Sequence, residues 1–483
     1  MRRRPRFPLL ALCALLTASA CSDAPDPAMP VASWVTTADG TSRLTPQPPL
    51  RLEPVAAGDR PVLTVRPENG HQVMRGFGAS FTDSAATLVH SSPRRDELMA
   101  ALFDRERGIG LGMLRQPMGS SDFSSSFGSY DDVPPGEHDW RLAKFNIDRD
   151  RARIVPLLRQ ASALNPQLGI IATPWSPPAW LKDNDSLLGG SLYAAGFSTY
   201  AQYFVRFLLA YAEAGVRVDA VTPQNEPENT ADQYPSARMT AAAQAAFIGN
   251  DLGPALAAAG LGDTEILAYD HNWNGHGYPA RVLSDEKARK YVRGIAFHCY
   301  RGNAADQQKL LARHPDVPVH ITECSGTESG PRAFSDTLLW QAEHLLIDGA
   351  RNQASSILTW NVALDPGNGP SFGRCGHCTG LATVDQRTGE IGYNAEYYVL
   401  GHAAKFVRQG AVRIDVENTD SNGSLHSTAF RNPDGSVAVV VLNPGERQTF
   451  DLAVHDRRAT ATLPARSLAT YLLPADVSAG QRS

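Results

Sequence analysis

The sequence predicts an α/β protein, a (β/α)8 barrel with an associated antiparallel β-sandwich domain. Three observations carry that expectation. Eight short apolar runs alternate with longer amphipathic segments over most of the chain. Each run opens apolar and closes on polar or aromatic residues. Beyond residue 405 the hydrophobic period shifts to two, the period of half-buried strands.

The runs are, in order, MRGFGASF, IGLGMLRQPMG, LGIIATPWS, VDAVTPQNEP, EILAYDHNW, GIAFHCY, VPVHITECSG and SSILTWNVALD. Helical patterns follow several of them: RARIVPLLRQASALN, YAQYFVRFLLAYAEAG, TAAAQAAFIGNDLGPALAAAG, DTLLWQAEHLLIDGA and AEYYVLGHAAKFV. Eight strand–helix units are the count of a TIM barrel. The runs end on Asp83, Arg115, Trp175, Asn225 with Glu226, Asp270 with His271, His298 with Tyr300, Glu323, and Trp360 with Asn361. In such a barrel the C-terminal strand ends build the active site. Past residue 405, AVRIDVENT, LHSTAFRNPDGSVAVVVLNPG, QTFDLAV and SLATYLLP alternate, and NPDG marks a turn between two of these strands. RPVLTVRPENG before the barrel adds a strand to the same sandwich. The expected boundaries are a signal peptide at 1–20, a linker at 21–50, sandwich at 51–70, barrel at 71–404 and sandwich again at 405–475.

The N-terminus, MRRRPRFPLLALCALLTASACSD, places arginines before a short apolar run that ends in small residues. That is the pattern of an export signal, and the run is short for a membrane span. Cleavage before Cys21 would leave a cysteine for lipidation, whereas ASA also fits release without an anchor. Both a membrane-anchored lipoprotein and a secreted or periplasmic protein fit. The formal net charge of −5, without a basic patch, argues against nucleic acid as partner. A monomer is expected. Cys375 and Cys378 in CGHC could close a small disulfide loop; a zinc site would need a second matching pair.

Glu226 and Glu323 stand at the ends of the fourth and seventh runs, which lie across a barrel mouth from one another. Two carboxyls facing over a pocket suit hydrolysis of a glycosidic bond, one protonating the leaving oxygen and the other attacking the anomeric carbon or activating water. The negative charge of Glu323 is expected to raise the pKa of Glu226 and keep it protonated. Asn225 is placed to bond a sugar 2-hydroxyl. Trp175, Trp180, Trp273, Tyr234, Tyr300 and Trp360 lie at or just after strand ends, where rings can pack on the C–H faces of sugars. Asp122 in GSSDFS could hold sugar hydroxyls or make an Asx turn. His271 and His276 are spaced poorly for zinc and read better as loop histidines that contact substrate or cap structure. No metal or cofactor is expected.

At these residues the chain resembles glycoside hydrolase family 30, which includes glucosylceramidases and β-1,6-glucanases. GFGASFTDSAA, RQPMGSSDFS, TPWSPPAWLK, TPQNEPE, FHCY, TECSG, LTWNVALDP, LGHAAKFV and NPDGSVAVVVLN are similar to that family's blocks, in its order, across about residues 71–473. The resemblance implies a metal-free retaining hydrolase. It implies Glu226 as acid/base and Glu323 as nucleophile, with Asp122, Trp175, Asn225, His298 and Trp360 holding the glycone. Tyr300 resembles a tyrosine beside the nucleophile and Tyr234 one beside the acid/base. The expected substrate is a β-linked glucoside, glycolipid or glucan. A glucosylceramidase-like β-glucosidase comes first and an endo-β-1,6-glucanase second; a non-catalytic carbohydrate-binding lipoprotein is the alternative of another class. Cys299 stands where the glucosylceramidases have Trp. Cys299 and Cys324, on neighbouring strands, are expected as a buried thiol pair, with a disulfide as the alternative.

Overall fold

The computed structural model describes residue 1 and residues 29–55, 59–326, 333–372, 375–419 and 424–479. The signal segment beyond Met1, and Cys21, lie outside the described residues. The eight runs form eight parallel strands: β1 (Gly76–Ser80), β2 (Met113–Met118), β3 (Gly169–Pro174), β4 (Ala220–Val221), β5 (Glu265–Asn272), β6 (Val292–His298), β7 (Val319–Glu323) and β8 (Ala354–Asn361). They pair in sequence order, and β8 pairs with β1 to close the barrel. Buried on both faces, these strands read as near-continuous apolar runs. Helices also fill units whose periodicity was too brief to register, such as Asp83–Ser91 after β1 and Asp306–Leu311 after β6. Each spans only two turns or so, too short for a clear 3.6 period.

The strand period decides what enters the barrel. Met113, Ile171, Ala220, Leu267, Ala296 and Leu358 form an apolar plug in the lumen. Two residues further along five of these strands, on the same face, come Arg115, Thr173, Thr222, His298 and Trp360. One layer of chemistry therefore sits on a hydrophobic floor. On β5 the register shifts between Tyr269 and His271, and Tyr269 and Asp270 adopt φ of 79° and 69°. This irregularity turns Asp270 inward. On β7 a similar shift between Ile321 and Glu323 lets Thr322 and Glu323, adjacent in sequence, both reach the lumen.

The second domain has nine strands joined in one closed hydrogen-bonded ring. It is antiparallel except where Val62–Val73 pairs parallel with Gln448–Val454. It takes more of the N-terminus than expected. Met29–Thr37 and Thr45–Pro54, read as linker, are strands. The prolines that hid Thr45–Pro54 sit where it is exposed, and its second neighbour pairs with it only at Glu53 and Pro54. Proline is tolerated on such an edge. Arg457–Leu463 is a further strand, its alternation masked by arginine and threonine. The domain docks on the helix Ala395–Ala404, where the buried His402 bridges Thr470 and Thr36 at 2.9 Å each.

Cys299 and Cys324 form a disulfide, as do Cys375 and Cys378. The expected thiol pair is thus corrected. The Cys299 amide donates to the Glu323 carbonyl at 3.3 Å, which brings the two Cα atoms within 5.3 Å, inside bridging range.

Candidate active site

Arg115 is fully buried at the centre of the mouth. Its guanidinium donates to Glu323 Oε2 at 2.6 Å, Asn225 Oδ1 at 2.7 Å and Asp270 Oδ2 at 2.8 Å. Because arginine only donates, the Asn225 oxygen must face it, which leaves the amide NH2 to donate elsewhere. Above Arg115 the rings of Trp175 and Trp360 lie 5.0 Å apart, nearly parallel, with the guanidinium carbon 4.7 and 5.5 Å from their centroids. Tyr300 Oη donates to the other Glu323 oxygen at 2.9 Å.

Glu226 lies opposite. The chain leaves β4 after two residues, and Glu226 takes φ 43° with its amide donating to the Asp270 carbonyl at 2.9 Å. A non-glycine residue in this region stores strain that the surrounding bonds hold in place. Asn229 Nδ2 donates to Glu226 Oε2 at 2.8 Å and to Tyr234 Oη at 3.0 Å. His298 Nδ1 lies 3.3 Å from Glu226 Oε1, and its Nε2 lies 3.1 Å from Asp270 Oδ1. His271 Nε2 is 3.7 Å from the same Glu226 oxygen. Asp270 also accepts from Thr222 at 2.7 Å and Thr322 at 2.6 Å.

The residues singled out in the sequence come together here: Glu226, Glu323, Asp122, Trp175, Asn225, Tyr234, His298, Tyr300 and Trp360. Tyr234 reaches the carboxyls only through Asn229. Trp180 and Trp273 do not belong to the site. Both are buried in the core, and their indole N–H groups are satisfied by the Asp131 carbonyl and Gln307 Oε1 at 2.8 and 2.9 Å. His276 bonds within its own loop, at the Asn274 carbonyl. Arg115 and Asp270 emerge as the hub. The sequence showed both at strand ends, but no spacing signals a cation that will sit between two carboxylates from distant strands.

The electrostatics overturn one expectation. Burial pushes the Glu226 pKa up, but the His298 hydrogen bond, the charges of His271 and His298 and the Asn229 hydrogen bond outweigh it and hold Glu226 below the usual carboxylate range. Burial disfavours charge on His298, yet Glu323, Asp270 and Glu226 together push its pKa up to about 9. The resting proton therefore sits on His298, beside Glu226, rather than on Glu226 through repulsion by Glu323. Asp122 is raised to about 8 by burial and by the charges of Glu323 and Glu226, against a hydrogen bond from the Trp360 indole. One carboxylate oxygen each of Glu226 and Glu323 and one His298 nitrogen lie within 4.8 Å of one another, a spacing that could hold a metal ion. Both His298 nitrogens, however, already face carboxylates, Glu226 and Asp270, and Arg115 and Tyr300 already donate to the two Glu323 oxygens.

A pH dependence follows. As pH rises through about 8 Asp122 gains a charge, and through about 9 His298 loses one. Both changes add net negative charge around the carboxyl pair. The value of kcat/KM should fall on that alkaline limb, and Asp122→Asn should move the limb upward. A profile flat to pH 10 would contradict this.

The family model described as the glycosyl hydrolase family 30 TIM-barrel domain matches residues 74–407, and that of its beta sandwich domain residues 410–471. The chain is 34% identical over 428 residues to an endo-1,6-beta-D-glucanase of Neurospora crassa, covering 85% of this chain and 87% of that one. It is 32% identical over 432 residues to the lysosomal acid glucosylceramidase of Mus musculus, covering 85% and 83%. The solved structure of an endo-beta1,6-glucanase superposes with a TM-score of 0.85 at 29% identity, covering 92% of this chain and 99% of its own.

Proposed function

The chain belongs to glycosyl hydrolase family 30, and on that premise we propose that it cleaves β-1,6-linked glucan within the chain by double displacement, with retained stereochemistry. The spacing of the two carboxyls carries the mechanism: oxygens of Glu226 and Glu323 lie within 4.8 Å. Retaining enzymes hold this pair about 5 Å apart, while inverting ones leave about 6.5 Å or more for a water.

Glu323 attacks the anomeric carbon, its two oxygens aimed by Arg115 and Tyr300. Glu226 and His298 hold one proton between them across their 3.3 Å contact. As the leaving oxygen gains charge, Glu226 passes that proton on. Esterification of Glu323 then removes a charge that had favoured protonated His298, and Glu226 takes the proton of the attacking water. The Asn225 NH2 is oriented toward the sugar 2-hydroxyl, and Trp175, Trp360 and Asp122 hold the glycone. Glu226→Ala should lower kcat by about 10²–10⁴-fold on glucan. The loss should be smallest on aryl glucosides whose leaving group needs no proton; an equal loss on both would remove Glu226 from that role.

The sequence put a glucosylceramidase-like glucosidase first. The relatives favour the glucanase at least as well, since the fungal glucanase is the more identical and the superposed structure is an endo-glucanase. Glycolipid cleavage stays as the second reading on the strength of the mouse relative. Chromatography of products from β-1,6-glucan and from an aryl β-glucoside separates them. Oligosaccharides from the polymer support the glucanase; free glucose from the aryl substrate with an untouched polymer overturns it.

In this reading the enzyme works outside the cytoplasm, tethered through Cys21 or released. Radiolabelled palmitate incorporation that survives Cys21→Ala would rule out the tether.

A further inference from the structure

Beside the nucleophile lies a small cavity of about 210 Å³, lined by Cys299, Tyr300, Ser325, Gly326, Thr337, Trp340 and Gln341. Tyr300 is shared with the catalytic centre, since its hydroxyl holds Glu323 while it also forms part of the cavity wall. Three properties define what would fit. First, no lining residue among the described residues carries a charge, because Cys299 is tied in its disulfide and Tyr300 has its pKa raised well above the ordinary tyrosine value, by burial and by Glu323. Second, Trp340 is 42% exposed and Tyr300 39%, so two large rings stand uncovered at one opening. Third, Gln341 is fully buried, yet neither its amide nitrogen nor its amide oxygen has a hydrogen-bond partner.

The third property is the most telling. Leaving a buried amide donor or acceptor without a partner is costly, and native proteins keep few of them. One donor and one acceptor side by side suit a ligand that offers hydroxyls. A flat aromatic beside them suits a ring with an apolar face, and the uncharged lining among the described residues suits a neutral molecule. A hydrocarbon chain would cover the rings but leave the amide unsatisfied.

We propose that this cavity is the first leaving-group subsite and takes a neutral sugar ring, stacked on Trp340 and hydrogen-bonded by Gln341. The inference rests on the glycosidase reading above and deepens it: the leaving group is a sugar rather than a lipid. It makes Trp340 and Gln341 specificity-determining residues, neighbours in sequence where the helix Ala333–Trp340 after the nucleophile strand passes into the helical segment Gln341–Ile347.

The test compares kcat/KM on a β-1,6-linked glucose trimer, on an aryl β-glucoside and on a long-chain alkyl β-glucoside, for the wild type, Trp340→Ala and Gln341→Leu. Melting temperatures confirm that the variants fold, and Gln341→Glu serves as a second variant that keeps the shape and an acceptor. The ratio of trimer to aryl-glucoside kcat/KM should fall about tenfold in Trp340→Ala and several-fold in Gln341→Leu. The change should lie mainly in the trimer KM. A ratio that stays at the wild-type value in both folded variants overturns the subsite. So does a loss confined to the alkyl glucoside, which would make the occupant a lipid chain. A wild type that cleaves none of the three substrates would instead overturn the glycosidase reading, and the two failures are thereby distinct.

Discussion

Glu323→Ala should lower kcat on any substrate by roughly 10⁵-fold, the scale seen when a covalent nucleophile is removed. The expectation follows from how many groups converge on this carboxylate. Arg115 and Tyr300 each donate to a different oxygen, at 2.6 and 2.9 Å. His298 stands 4.0 Å away. Glu226, the other carboxylate of the pair, is held by His298 and Asn229 instead. Substrate binding should survive, since Trp175, Trp360 and Asp122 do not depend on Glu323 for their positions. The alanine leaves room for a small external anion. Added azide should then restore some turnover and give a product of inverted configuration at the anomeric carbon. Near-normal kcat in the variant, or azide rescue with retained configuration, would end the nucleophile assignment. Isothermal titration with an oligosaccharide would show whether binding was kept.

How far the site could be read from sequence depended on which physical signal each residue leaves. Strand ends were legible because a buried parallel strand is apolar until it reaches the mouth and polar just beyond. That one transition located Glu226, Glu323, His298 and Trp360. Their mutual arrangement was not legible, because it depends on local departures from strand period. Asp270 enters the lumen through a register shift and two residues at positive φ, and none of the three residues from Tyr269 to His271 is a glycine that would have announced it. Trp180 and Trp273 misled for the converse reason. A tryptophan just past a strand end can turn into the core as readily as into the cleft, and only the partner of its indole N–H decides. The sandwich strands at residues 29–54 were hidden by prolines that matter only if the strand is central. The Cys299–Cys324 bond required knowing the register of β6 against β7, which sequence does not carry. The proton on His298 rather than Glu226 is a property of three carboxylates from three strands, so reasoning from one pair of glutamates could not reach it.

Arg115→Met should do two separable things, destabilise the fold by about 3–5 kcal/mol and reduce kcat by several orders of magnitude. The arginine is fully buried and hydrogen-bonds both Asp270 and Glu323, at 2.8 and 2.6 Å. Removing it leaves two buried carboxylates to share His298. Replacement by an apolar side chain of similar length fills the space but cannot supply the charge, so the cost is that of an unpaired buried ion rather than a cavity. Lysine would restore the charge without the geometry. A single ammonium cannot reproduce the guanidinium's fork, which reaches Glu323 from one nitrogen and Asn225 with Asp270 from the other. Arg115→Lys should therefore recover more stability than activity. The pH dependence gives the sharper check. Burial pushes the Asp270 pKa up, but Arg115 and His298 outweigh it and hold it well below the ordinary carboxylate value. A depressed folded-state pKa contributes stability above the unfolded pKa of about 4 and loses it as pH falls further. The gap between wild type and Arg115→Met should thus be full at neutral pH and narrow as pH falls below about 4, because there the unfolded chain takes up a proton that Asp270 of the folded wild type does not. Chemical denaturation at a series of pH values measures this directly. A gap that stays constant from pH 7 to pH 3 would mean that Arg115 acts through packing alone, and the charge hub assigned to it would be wrong.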